Sequence, residues 1–229
     1  MEYLWNAHDY DVWTAIWANQ NQFPGLVITG ADDCKLKIWD IRLIDCASQN
    51  KISEERKSKE DIEMDQISKP LPVMQNTNTH PSGVTSLSLH PINENLFLSG
   101  CFDEKIRLWD MRNIRDPIWS YKARDGVWRM KWINEDKYQS DCRKGFKQDN
   151  DLYLMAACTH SGSASILYFN NNAAVNPPIE LYAHEGHKSM TYGCDWMRKQ
   201  QNINNGGIRG SIFASSGFYD CSLHIWKIQ

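Results

Sequence analysis

A chain of 229 residues, 41% hydrophobic and 23% charged, is long enough for one large domain or two small ones and has a core to bury. A mean hydropathy of -0.58 and an apolar run no longer than Leu152 to Cys158 exclude a membrane-spanning helix, which needs about 20 apolar residues. A net charge of -3 with a pI near 6.2 argues against a dedicated nucleic-acid binder, which carries a basic face.

The chain opens MEYLWNAHDY, without the basic and apolar regions of a secretory signal. EYLWN at 2–6 reads as an outer strand, because IWSYK and IELYA occupy the same place before later repeats. VWTAIW from Val12 and TGADDCKLKIWD from Thr29 follow. Both alternate β-branched or aromatic residues with polar ones and are bounded by Gly, Asn and Asp, the pattern of short strands. An insert at 43–79 interrupts them, and ten of its 15 residues from Lys51 to Asp65 are charged. VTSLSL from Val84 and SGCFDEKIRLWD from Ser99 restate the first pair. VWRMKW from Val127 opens a third unit, interrupted by a polar insert at 134–150 and continued by Ala157-Cys158-Thr159-His160-Ser161. TYGCDW from Thr191 and SGFYDCSLHIWK from Ser216 make a fourth, around an Asn- and Gly-rich insert at 199–210. The inserts read as solvated loops, too polar to bury the surface that would order them, with a partner contact as the alternative for the first.

The ungapped register anchors the four copies at Gly30, Gly100, Cys158 and Gly217, with Leu167 where Trp109 stands. His8, His80, Ala123 and His187 lie four residues before the respective leading strands. Without the inserts 163 residues remain, about four units of the 40–45 residues that build a propeller blade. The expected fold is all-β: one propeller region over 1–229 with blades near 8–42, 80–122, 123–183 and 184–229. The seven cysteines (34, 46, 101, 142, 158, 194 and 221) are odd in number and never spaced C-x-x-C, which fits reduced thiols in the cytosol or nucleus rather than a disulfide framework or zinc ribbon.

With its upstream His, its turn Asp and the pairs Trp39-Asp40 and Trp109-Asp110, this unit resembles the WD repeat. In that family a His before strand a, a Ser or Thr on strand b, an Asp in the b–c turn and a Trp on strand c form a buried network. The resemblance implies three such sets: His8/Thr29/Asp33/Trp39, His80/Ser99/Asp103/Trp109 and His187/Ser216/Asp220/Trp226. It also implies ring closure by pairing the N-terminal outer strand with the C-terminal strand c, which protects sheet edges. WD rings usually have about seven blades, so four are expected to be part of a seven-bladed ring whose missing portion lies upstream.

Departures from the repeat are more specific. HDYDVWTAIWANQ at 8–20, GVWRMKW at 126–132, AACTHSG at 156–162, YGCDW at 192–196 and SSGFYDCSLHIW at 215–226 together resemble the WD-repeat diphthine methyltransferase, or diphthine methyl ester hydrolase, family of diphthamide biosynthesis, in its C-terminal part. The resemblance implies removal of a methyl ester from methylated diphthine on translation elongation factor 2, before a ligase amidates the carboxylate. Implied partners are elongation factor 2 and other diphthamide-pathway proteins, with no nucleic acid and no membrane, in the cytoplasm. No methyl donor or other cofactor is implied, and no Gly-rich nucleotide loop follows a strand.

Ester hydrolysis needs a nucleophile or activated water, a base and oxyanion donors. The string G-x-S-x-G is absent, and His184-Glu185-Gly186-His187 lacks the spacing of a zinc hydrolase, so no metal site is expected. The third repeat has lost all four network positions, to Ala123, Ala157, Ser161 and Leu167. Its turn carries Cys158, His160 and Ser161 instead, facing the loop of Arg124 and Asp125. This assigns His160 as general base, Ser161 or Cys158 as nucleophile and Arg129 as oxyanion partner. The alternative is a degenerate blade with a packed Cys and a surface His. Diphthine carries a trimethylammonium group, which favours an aromatic cage. Phe102, Phe218 and Tyr219 in b–c turns, Trp128 on a leading strand and the carboxylate of Asp125 are the candidates, against ordinary packing between blades. The competing function is a non-catalytic WD scaffold for a protein complex, because a fold alone specifies no activity.

Overall fold

The computed structural model describes residues 5–43, 70–133, 152–158, 162–169, 176–197 and 211–228. Four antiparallel sheets follow one another along the chain. The first is β1 (Val12–Trp17), β2 (Leu26–Ala31), β3 (Leu36–Asp40) and β4 (Met74–Asn76), in that order. The second is β5 (Val84–Leu89), β6 (Leu96–Cys101), β7 (Lys105–Asp110) and β8 (Trp119–Lys122). The third is β9 (Val127–Ile133), β10 (Leu152–Cys158), β11 (Ala164–Phe169) and β12 (Ile179–His184). The fourth has three described strands, β13 (Thr191–Trp196), β14 (Ile212–Gly217) and β15 (Leu223–Lys227). These are four propeller blades, and no described helix is long and apolar enough to cross a membrane.

The core lies between blades. Leu36 and Ile38 of β3 pack with Val84, Leu87 and Phe97 of the second blade. Ile106 and Leu108 of β7 pack with Val127, Met130 and Leu154 of the third, and Ile166 of β11 packs with Phe213 and Trp226 of the fourth. Alternation along each strand therefore sends one set of apolar side chains to the next blade and the other to the preceding one.

The recurrent Asp has a local reason. Asp33, Asp103 and Asp220 each accept the amide N–H two residues on, at 3.1, 3.2 and 3.2 Å. That Asx turn holds the intervening Cys34, Glu104 and Cys221 in the left-handed region, at φ of 61°, 69° and 51°. A second device recurs at the head of each inner strand. Trp13, Thr85, Trp128 and Tyr192 are the extra residues of four equivalent β-bulges against β2, β6, β10 and β14.

These bulges correct the ungapped register. Counting from them, Ala156 and Ala157 stand where Ser99 and Gly100 stand, and Cys158 matches Cys101. In the fourth blade Ser215 takes the place of Ser99, because its b–c turn has one more residue than the turns at 31–35 and 101–105. Two boundaries also move. Strand d of the first blade is β4, inside the stretch read as an insert at 43–79. Of the outer strand read at 2–6, residues 2–4 lie outside the described residues, while Trp5 and Asn6 are not in a strand and the Trp5 ring meets Trp39 edge-on at 5.6 Å.

Candidate functional site

The polar networks show which residues are committed to structure. In the first blade the Trp39 indole donates to Thr29 Oγ1 at 2.9 Å, Thr29 meets His8 Nε2 at 2.7 Å, and His8 Nδ1 meets Asp33 at 2.9 Å. The second blade keeps Trp109–Ser99 at 2.8 Å and Ser99–His80 at 3.0 Å. Its Asp103 turns instead to Arg107, at 3.0 and 2.5 Å, so His80 Nδ1 is buried without a partner among the described residues. Burial, with Arg107 nearby, pushes the His80 imidazole down to about 3. In the fourth blade Trp226 donates to Ser215 at 3.2 Å, not to Ser216, and His187 bridges Ser215 and Ser222, both at 2.8 Å. Asp220 stands 3.5 Å from His187.

Among the described residues the third blade has no such network. Ala123, Ala156 at the place of Ser99, its neighbour Ala157, and Leu167 are buried and apolar, and every residue of β10 is buried. Its polar tie lies further out: Glu180 of β12 accepts from Arg124 at 2.6–2.9 Å and from Ser165 at 2.8 Å, pinning the loop before β9. Cys158 is fully buried among Val127, Met130 and Leu154, and desolvation raises its thiol pKa. It packs the blade and is not an exposed thiolate nucleophile. His160 and Ser161 lie outside the described residues. Arg129 is exposed on β9, paired in register with Ala157. Asp125 is half-buried and caps its neighbour, the Gly126 N–H, at 2.6 Å.

One face gathers the aromatic candidates. The b–c turn residues Asp32, Phe102 and Phe218 donate their N–H groups to the carbonyls of Asp11, Gly83 and Met190, just before β1, β5 and β13. Turns and lead-in loops therefore share an end of the molecule. Here three of the four bulged residues, Trp13, Trp128 and Tyr192, meet. Trp13 contacts Trp128 across blades at 5.1 Å between ring centroids, Trp128 contacts Tyr192 at 5.3 Å, Tyr192 contacts Phe218 at 5.2 Å, and Phe218 contacts Tyr219 at 4.8 Å. Phe218 and Tyr219 are exposed, as are Trp13 and Tyr192 in part. The Trp128 indole nitrogen is buried without a hydrogen-bond partner among the described residues. Of the candidates read from sequence, Trp128, Phe218 and Tyr219 are brought together, and Phe102 stands exposed on its own b–c turn at the same end. Trp13 and Tyr192 escaped the sequence reading. Their shared second position in VWTAIW and TYGCDW was the available signal, but only the bulge shows that this position leaves the sheet.

A second group also went unforeseen. His184 at the end of β12, His187 before β13 and His224 on β15 place one ring nitrogen each within 4.8 Å of the others. His184 Nε2 and His224 Nδ1 are 2.8 Å apart, and the His187 and His224 rings stack at 4.0 Å.

The WD domain, G-beta repeat model matches residues 2–40 and 72–110. The chain is 31% identical over 228 residues to the diphthine methyltransferase homolog of Dictyostelium discoideum, covering 98% of this chain and 52% of that protein. It is 28% identical over 195 residues to the diphthine methyltransferase of Homo sapiens (84% and 33%), and 26% identical over 237 residues to that of Saccharomyces cerevisiae (96% and 50%). The chain thus spans about half, or less, of the length of these curated relatives. A chain in the crystal structure of the mitotic checkpoint complex shares the fold, with a TM-score of 0.59 and 16% identity over 97% of this chain and 50% of that one.

Proposed function

We propose that this chain, a WD-repeat protein homologous over most of its length to the diphthine methyltransferases of eukaryotes, acts in diphthamide biosynthesis and there hydrolyses the methyl ester of methylated diphthine on elongation factor 2. In that reaction water adds to the ester carbon, the bond to the methoxy oxygen breaks, methanol leaves, and the carboxylate remains on the protein. The observation that carries the binding half of the proposal is the run Trp13–Trp128–Tyr192–Phe218. Exposed aromatic faces attract a quaternary ammonium through the ring quadrupole, by about 0.5–2 kcal/mol per contact. The unpartnered Trp128 N–H lies in the same run and supplies a donor for an ester or carboxylate oxygen. Asp125, in the loop leading to Trp128, adds negative charge on the cation's side, and Phe102 and Tyr219 extend the aromatic rim. In the chemical half, His160 is the base, Ser161 the nucleophile or water-positioning group, and Arg129 the oxyanion partner. Cys158 is left out because its thiol is buried.

The test is elongation factor 2 carrying methylated diphthine, incubated with the chain and read by peptide mass spectrometry. Loss of one methylene's mass is expected, abolished by His160→Ala and slowed by Trp128→Ala chiefly through a higher KM. A folded chain that binds the modified factor without changing its mass would be a scaffold and would overturn the esterase.

A further inference from the structure

We propose that His184, His187 and His224 form a binding site for one zinc-class divalent cation, pinning the outer strand of the third blade to the fourth. Counting back from the blade tryptophan, His224 takes the position of Lys37 and Arg107, in register with Ser215 as they are with Thr29 and Ser99. In the first two blades that position carries a fixed cation. Lys37 Nζ donates to the Ala7 carbonyl at 2.7 Å and lies 4.0 Å from Asp33; Arg107 donates to the Thr79 carbonyl at 3.1 Å and grips Asp103. Both cations tie the turn Asp to the segment entering the blade. The fourth blade keeps the Asp, Asp220, but sets the His224 imidazole where the lysine or arginine stood. Two more imidazoles converge on it, and a bound divalent ion returns positive charge to this corner.

The geometry suits such an ion. Four-coordinate zinc with bonds of about 2.0–2.1 Å holds its nitrogens roughly 3.3–3.4 Å apart. The spacings here, 2.8 Å for His184–His224 and at most 4.8 Å for the others, bracket that value. Two imidazole nitrogens facing each other share only one proton, whereas a metal uses both lone pairs. Gly186 keeps the approach open: a side-chain carbon there would lie 2.4 Å from His224 Nδ1 and 2.5 Å from His184 Nε2. Trp226 stacks on the His184 ring at 5.2 Å and 10°, fixing its plane. When one ring nitrogen of His187 binds the metal, the other keeps its serine, the kind of outer contact that orients a ligating imidazole. Three imidazoles select zinc, copper or nickel over magnesium or calcium, which take oxygen.

The full chain, stripped with chelator and titrated with Zn(II) alone, is expected to bind one ion in calorimetry, and Co(II) is expected to give the visible bands of a tetrahedral site. His224→Lys copies the first two blades, so it keeps the fold by circular dichroism and loses the ion; His184→Ala loses it as well. Gly186→Ala weakens binding while leaving all three histidines in place. Absence of saturable Zn(II) binding by the wild-type chain, or binding unchanged in a folded His224→Lys variant, overturns the site. The readout is independent of esterase activity.

Discussion

At the scale of single residues, the blade networks separate groups that share partners from groups left alone. Ser99 takes the indole N–H of Trp109 and meets His80, both fully inside the protein. Ser99→Ala removes the link and leaves the indole donor and a second imidazole nitrogen unsatisfied. The expected loss is about 2–4 kcal/mol in urea unfolding, well above the roughly 1 kcal/mol of an ordinary hydrogen bond. Histidine burial sets an acid limit. His80 and His90 stay neutral in the fold down to about 3 and about 4, against 6.5 ordinarily, both by desolvation. Below pH 6.5 the unfolded chain therefore takes up protons that the folded chain refuses. Stability is full above that pH and falls as pH drops toward 4, by about 1.4 kcal/mol per pH unit for each residue. His90 accepts the N–H groups of Ile92 and Asn93 at its Nδ1. His90→Asn preserves such an acceptor, so denaturation between pH 6.5 and 4 should lose one residue's share of the slope; an unchanged slope would contradict the assignment.

At the scale of elements, the strands were legible because each blade is written twice, once in alternation and once in the Asp that closes its b–c turn. Twelve residues of near-identical pattern from Thr29 and Ser99 fixed the first two hairpins to the residue. The third and fourth hairpins slipped by one, since a longer turn at 217–222 and four bulges leave no mark in composition. β4 was hidden because Met74–Asn76 is three residues long and follows a highly charged run. The site was legible in part: aromatic residues in turns are conspicuous, but Trp13 reaches Trp128 only because the blades bring their bulges together, and His224 lies 40 residues from the His184 it touches. The turn between β10 and β11 ends at Gly162, whose φ is +61° and whose added Cβ would meet the carbonyl oxygens of His187 and Ser189 at 2.5 and 2.7 Å. This glycine seats the third blade's turn on the fourth blade's lead-in. Gly162→Ala combines left-handed strain with a backbone clash and should cost at least about 1–3 kcal/mol. Gly193→Ala meets only the Ser216 hydroxyl and serves as the milder comparison in the same denaturation series.

At the scale of the whole molecule, each blade depends on the next to cover strand c. Leu36 and Ile38 are completely buried by the second blade, and Ile106 and Leu108 by the third. Counted from the blade tryptophan, Leu223 and Ile225 of β15 are their equivalents, and they stand 67% and 70% exposed. β15 is also hydrogen-bonded to a neighbour on one side only among the described strands. Covering each such side chain is worth about 1.5–3 kcal/mol, so an apolar ridge beside an open sheet edge is a strong driver of association. The isolated chain should show concentration-dependent light scattering, suppressed in a Leu223→Lys/Ile225→Lys double variant that keeps its sheet signal. Lysines at these two positions face solvent in the chain alone and cost its fold little, whereas lysine at Leu36 or Ile38 would bury a charge between blades and unfold it. Equal scattering by wild type and double variant would mean that another surface carries the association and that β15 needs no cover.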